Sequence, residues 1–350
     1  MKSSCPAVHP MERKKTTLRS LSGILKDRAS LAKASLYSKT RSNVHSTIIR
    51  ATTHGATAAP KEYCLDALLS LGVRSHITAA MCIGALMDRL HKTRNAFVAL
   101  KCLFAVHNVI SRGCLALKDE LSVFPSRGGH NFLKLSGFRD GFDDETFEYS
   151  SWVRWYAEFL EQTMIAARVM GYFLSPFSSS TTGTLRRKRE VRIRESRSSE
   201  LYEEIDLLVD LVAVICSCPE SVHLQSHDLV YEIVSLVLED YRAIRHGIQS
   251  RLIELERRTP ESPAGTAETV ARMLSALNKL EGCREKLFVL FVNKANNDGL
   301  WELIPRMKRK LIHHLTRPTE APMISWRAEN IYLPCYARNI RDSTYAVAAV

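Results

Sequence analysis

The chain reads as an all-α protein, an α-solenoid of antiparallel helices stacked one on the next. Two observations predict this. Apolar residues recur at helical spacing through almost the whole chain, and strand-like alternation bounded by hairpin turns is absent. A third, the short Gly/Ser/Pro connections between runs, makes neighbouring helices antiparallel.

From Thr16, the residues Leu18, Leu21, Ile24 and Leu25 recur at helical spacing, with Arg19 and Lys26 on other faces. "SHITAAMCIGALMDRLHKT" (75–93) places Ile77, Met81, Ala85, Leu86 and Leu90 on one stripe. "RNAFVALKCLFAVHNVISRG" (94–113) is apolar on nearly all sides, which predicts a central helix ending at Gly113. "SSWVRWYAEFLEQTMIAARVMGYFL" (150–174) predicts a long helix capped by its serines. The stretch 175–199 is Ser/Thr-rich and then charge-dense, the pattern of a mobile linker. Helices are expected again over 200–217, 227–258 and 266–297, and residues 319–350 read as an irregular tail.

Composition narrows the class of function. The chain has 350 residues and a formal charge of +12, unevenly placed. Residues 1–61 hold twelve basic side chains against Glu12 and Asp27, and "LRRKREVRIRESR" (185–197) holds seven against two acids. An anionic partner is implied, and a phosphoinositide membrane or a nucleic acid fits. Nine cysteines, an odd number, show no disulfide framework, so most are expected in the core of a protein in a reducing cytosol. The N-terminus has no apolar signal region and no window is long and apolar enough to span a bilayer. Any membrane contact is therefore expected to be peripheral. G-x-S-x-G, P-loop and H-E-x-x-H patterns are absent, so neither catalytic residues nor a cofactor are assigned.

"GILKDRASLAKASL" (23–36), "IIRATTHGATAAPKEYCL" (48–65), "LHKTRNAFVALKCLFAVHNVISRG" (90–113), "LKLSGFRD" (133–140) and "SSWVRWYAEFLE" (150–161) follow one another in an order that resembles the ANTH domain of clathrin assembly proteins, most of all plant members. The resemblance covers about residues 20–310. It implies a superhelical solenoid that binds phosphatidylinositol 4,5-bisphosphate, captures SNARE cargo, recruits clathrin heavy chain and has no catalytic activity. It divides the chain into a basic extension (1–19), an N-terminal helical part (20–174), a linker (175–199), C-terminal helices (200–318) and the tail (319–350). It places the protein in the cytoplasm, peripherally on coated pits, coated vesicles and the Golgi.

The family's headgroup motif is a lysine, Ala-Thr-Thr/Ser-His, then Pro-Lys-x-Lys-His. Arg50 stands at the first lysine, Thr52, Thr53 and His54 follow, and Pro60 and Lys61 match after one extra loop residue. Tyr63 and Cys64 stand where the second lysine and the histidine belong. Arg50 and Lys61 keep the cationic donors that phosphate oxygens need, Tyr63 offers one neutral donor and Cys64 almost none. Lys26, Lys33, Lys39 and Arg41 widen the basic face. Each basic residue near an anionic leaflet contributes about 1 kcal/mol. Two or three fall short of the roughly 4 kcal/mol of a millimolar complex, so weak, salt-sensitive binding is expected.

Four further patterns have a structural reading beside a functional one. "LIELE" (252–256) has the form of a clathrin-binding peptide, but Ile244, Ile248, Leu252 and Leu255 continue one stripe that turns both leucines inward. "FRDGF" (138–142) has the form of an adaptor-binding peptide, and is expected to be a loop anchored by Phe138 and Phe142. Cys216, Cys218, His223 and His227 lack the usual zinc spacing and read as a turn. The run 185–197 lacks interleaved aromatics, although a scaffold whose basic linker binds nucleic acid or directs nuclear import is the competing reading.

Overall fold

Why the central helices form can be seen at their ends. A computed structural model describes residues 10–55, 58–123, 131–174, 183–220, 224, 227–258, 267–290 and 299–316. Among these, all regular structure is helical. The elements are α1 Pro10–Ser35, α2 Lys39–Ala51, α3 Glu62–Arg74, α4 His76–Lys92, α5 Ala96–Arg112, α6 Leu115–Val123, α7 Asp144–Met170, α8 Gly183–Glu195, α9 Ser198–Cys216, α10 Asp228–Arg258, α11 Ala267–Gly282, α12 Arg284–Leu290 and α13 Leu300–Thr316. Ser75 opens α4 by accepting from the Thr78 N–H at 3.1 Å, and Asn95 opens α5 by accepting from the Val98 N–H at 3.1 Å.

The helices stack in succession, as a solenoid requires. α1 packs on α2, α2 on α3 and α4, α4 on α5 and α6, α5 on α7, α7 on α9, and α9 on α10 and α11. At the centre lies α5, where every residue from Ala96 to Ser111 is buried, as its uniform apolarity predicts. Gly113 does follow its last turn, with φ −60. Glycine is required there by proximity, because a Cβ would fall 2.4 Å from the Val109 carbonyl oxygen. A buried polar cluster joins three helices: His107 bonds the Tyr156 hydroxyl through Nδ1 and Asp240 through Nε2, each at 2.8 Å.

Several expectations are corrected. On α4, Ile77 is 74% exposed, and the buried face is Ala79, Cys82, Ile83, Leu86, Met87 and Leu90. On α1, Leu21, Ile24 and Leu25 are exposed, and the face toward the fold is Gly23, Asp27 and Ala34. α1 also begins at Pro10, inside the stretch read as an extension. α7 starts six residues earlier than Ser150, at a reciprocal cap between Asp143 and Thr146. The run 266–297 is two helices, broken between Gly282 and Arg284, with residues 291–298 outside the described set.

The basic linker is corrected most. Residues 183–195 form α8, which buries Ile193 against the fold and is closed by Arg258. That guanidinium donates to the carbonyls of Ser196, Arg194 and Ile193 at 2.6–3.1 Å. Tertiary capping thus fixes a segment whose composition alone favours solvent. Residues 175–182 and the tail 319–350 lie outside the described residues.

The inward reading of "LIELE" agrees with the geometry, since Leu252 and Leu255 are 0% and 4% exposed on α10. In "FRDGF", Phe138 packs on the core, but Phe142 is exposed rather than buried as an anchor of the loop. The residue that fastens this loop is buried Asp140, which accepts from the Ala96 N–H at 2.9 Å and so also caps α5. Of the cysteine–histidine group, His227 Nδ1 pairs with the Tyr149 hydroxyl, and His223 lies outside the described residues.

Candidate phosphate-binding loop between α2 and α3

α2 ends because Thr52 leaves the helical path. Its N–H still reaches the Ile48 and Ile49 carbonyls, and its Oγ1 donates to Ile48 O at 2.6 Å. Arg89 of α4 then grips the departing chain, with Nε to Thr52 Oγ1 at 2.6 Å and Nη2 to Thr52 O at 2.7 Å. Lys101, a 3% exposed lysine of α5, donates to Thr53 O at 3.2 Å and Gly55 O at 2.7 Å. Asp27 of α1 accepts from the His54 backbone N–H at 2.8 Å and pairs with its Nδ1 at 2.7 Å. Gly23 admits this approach, since a Cβ there would sit 2.6 Å from His54 Cβ.

Three helices therefore hold the Thr-Thr-His step through charged groups, and its pKa values follow. Burial pushes the Asp27 carboxyl up, but hydrogen bonds from His54 and the charges of His54 and Arg89 outweigh it. The net result is a pKa below the ordinary 3.8. Burial lowers Lys101 to about 8, against the opposing pull of Asp27 and Cys102.

The motif residues separate into two groups. Thr52, Thr53 and His54 point into this framework; His54 retains only its Nε2 side for a ligand, because Nδ1 is taken by Asp27. Arg50, on the last turn of α2, and Lys61, at the N-cap of α3, are exposed. Neither makes an ion pair among the described residues. The N-terminus of α3 has no side-chain cap, so its first N–H groups add to the Lys61 charge. Glu62, the acid beside Lys61, is drawn off by Arg112.

Tyr63 is 65% exposed, with Lys61 Nζ 6.0 Å from its ring centre. Cys64 is 6% exposed in the core, so the residue at the family's histidine position presents nothing outward. Lys39 begins α2, eleven residues before Arg50, so helix rise alone puts them about 16 Å apart. It is not brought to the same seat. Arg41 lies 4.6 Å over the Tyr37 ring, near the Lys39 end.

A cleft of about 700 Å³ opens beside His54, on the α1 side, and Lys26, Lys92 and Arg94 line it. A smaller one of about 390 Å³ carries Lys33 and Arg89, with His54 lining both. Asp27, Arg89 and Lys101 were missed in the sequence. The available signal was a single lysine within the apolar run 94–113, and a single aspartate in a basic stretch.

Residues 43–291 match the family described as "ANTH domain". Three Arabidopsis thaliana proteins, each named "Putative clathrin assembly protein", are similar to the chain. One is 37% identical over 84% of this chain and 80% of its own length. The second is 28% identical over 82% and 83%. The third is 32% identical over 57% of this chain, but that alignment takes in only 36% of the longer relative.

Proposed function

The chain belongs to the ANTH domain family, and from that premise we propose that it is a peripheral adaptor that takes part in clathrin coat assembly on phosphoinositide membranes. The observation that carries this reading is the pair Arg50 and Lys61. They are exposed at two helix ends, on either side of a loop pinned from beneath by Asp27, Arg89 and Lys101. Buried charges do the holding, which leaves the outward cations for phosphates. Preorganisation of this kind lowers the entropy lost on binding. Arg50 and Lys61 are open to solvent, which suits a headgroup at a membrane surface.

Affinity follows from charge count. Arg50, Lys61 and the Tyr63 hydroxyl supply about 2–3 kcal/mol, so stable attachment needs simultaneous contacts elsewhere. Lys26, Lys33 and Lys92 extend the basic face along α1 and the end of α4. No described helix is long and apolar enough to cross a membrane. The adaptor acts without catalysis and holds SNARE cargo through its C-terminal helices, on coated pits, vesicles and the Golgi. Clathrin contact through "LIELE" is not part of this reading, because its leucines are core residues.

Co-sedimentation with vesicles containing phosphatidylinositol 4,5-bisphosphate tests it. Arg50→Glu with Lys61→Glu should reduce sedimentation at low salt to a small residual fraction while leaving the melting temperature unchanged. Sedimentation equal to that of the unaltered chain would overturn the assignment.

A further inference from the structure

The second basic stretch makes a separate, concave feature. α6, the C-terminal end of α7 and α8 enclose a cleft of about 600 Å³, on different helices from the α2–α3 loop. Its lining carries five cations, Lys118, Arg168, Lys188, Arg189 and Arg192, against one carboxylate, Asp119. Gly171 ends α7 with φ 74, in the left-handed region, and a Cβ there would fall 2.8 Å from Arg192 Nη1. A glycine turn thus lets the α8 guanidinium close over the end of α7.

Neutral groups help to position three of these cations. Arg189 and Arg192 stack over the Tyr172 ring, at 5.0 and 5.6 Å from its centre. Arg189 also donates to Phe173 O at 3.3 Å, and Arg168 to Ser122 O at 2.7 Å. Arg192 also reaches Glu204, at 3.8 Å. Lys118 is half-buried and makes no hydrogen bond or ion pair among the described residues. Burial and then the charge of Arg189 lower its pKa, as expected of a half-buried ammonium near another cation.

We propose that this cleft binds a compact anion bearing several phosphates, taken up free from solution or as the headgroup of a membrane lipid. Its volume falls within the range of small-ligand sites, and its charge calls for more than one phosphate. The stacked guanidiniums are already ordered, so little side-chain freedom is lost on binding. A nucleic-acid strand fits poorly, because the Tyr172 face that a base would need is covered by two arginines.

The test is calorimetric titration of the full chain with sodium tripolyphosphate at about 50 mM salt, where phosphate contacts are strongest. Lys118→Gln with Lys188→Gln should weaken binding by about tenfold or more, since each removes a charge-assisted contact. Asp119→Asn should tighten it by about threefold, an effect that damage to the fold would not produce. Arg50→Glu with Lys61→Glu should leave it unchanged, which separates this site from the loop. Vesicles bearing a bisphosphorylated phosphoinositide identify the source. Loss of residual sedimentation on adding Lys118→Gln and Lys188→Gln to the loop variant supports a headgroup; loss of tripolyphosphate binding alone supports a soluble anion. Equal tripolyphosphate affinity across all the variants, no binding by the unaltered chain, or preference for single-stranded RNA would overturn the proposal.

Discussion

Two of the charged clusters among the described residues are used in opposite ways. The His107–Tyr156–Asp240 cluster is almost fully buried and ties α5 to α7 and α10. The Asp27–His54–Arg89–Lys101 cluster lies at the edge, and most of its bonds go to loop atoms of residues 52–55. The first fixes helices that already have an apolar reason to pack. The second fixes a loop that has almost none, so its conformation depends on the charges themselves. The conformation of this surface loop is therefore set by polar groups in the layer beneath it.

Removing Asp240 should have the largest effect on stability. Asp240→Ala leaves His107 Nε2 buried without its partner, so a loss of about 2–3 kcal/mol is expected in chemical denaturation. Amide exchange at residues 52–55 should stay as in the unaltered chain. Fast exchange in the loop would break the proposed separation of the two clusters.

Lys101→Met should do the reverse. It removes the bonds to Thr53 and Gly55 but keeps an apolar side chain of similar length, so the loss should be near 1 kcal/mol. Exchange over residues 52–55 should rise well before global unfolding, and phosphoinositide sedimentation should fall. An unchanged loop would show that Lys101 is not what fixes it.

Titration sharpens the contrast further. The depressed Lys101 pKa means that the unfolded chain binds more protons between about 8 and its ordinary 10.5. The burial penalty is full below that window and is relieved as pH rises through it, so this group makes stability increase with pH there. Lys101→Met should lose that slope in thermal melts taken across the window. Asp27 has the opposite edge: its contribution is present above the ordinary 3.8 and lost as pH falls through the lower folded value. Asp27→Asn should flatten the acid limb, and an acid limb identical to that of the unaltered chain would remove Asp27 from the cluster.

The smallest effect on stability belongs to Arg50→Glu with Lys61→Glu, expected within about 0.5 kcal/mol for exposed positions. The same variant should have the largest effect on vesicle binding.

How much was legible varied with the range of the interactions. The centrality of α5 showed in its uninterrupted apolarity, and the inward turn of Leu252 and Leu255 in a single stripe along α10. The stripe on α4 was misassigned because an amphipathic pattern gives a face without saying what covers it, and Ile77 proved exposed. α8 was read as a linker because charge density argues against a core, whereas Arg258, more than sixty positions away, caps its end. In the candidate seat, Arg50, Lys61 and Tyr63 could be marked from a motif, yet the buried place of Cys64 and the engagement of His54 could not.

From sequence alone came the helical class, the order of the main helices, the excess of positive charge in two stretches and the family likeness. These depend on period, composition and residue order, all of which are local. Only the tertiary structure decided which cations face outward, which are consumed in holding backbone, and that the second basic stretch closes a cleft with α6 and α7. The physical reason is that a charge's role depends on its nearest opposite charge and on its burial. For Asp27, Arg89 and Lys101, those are set by partners 27 to 62 positions away along the chain.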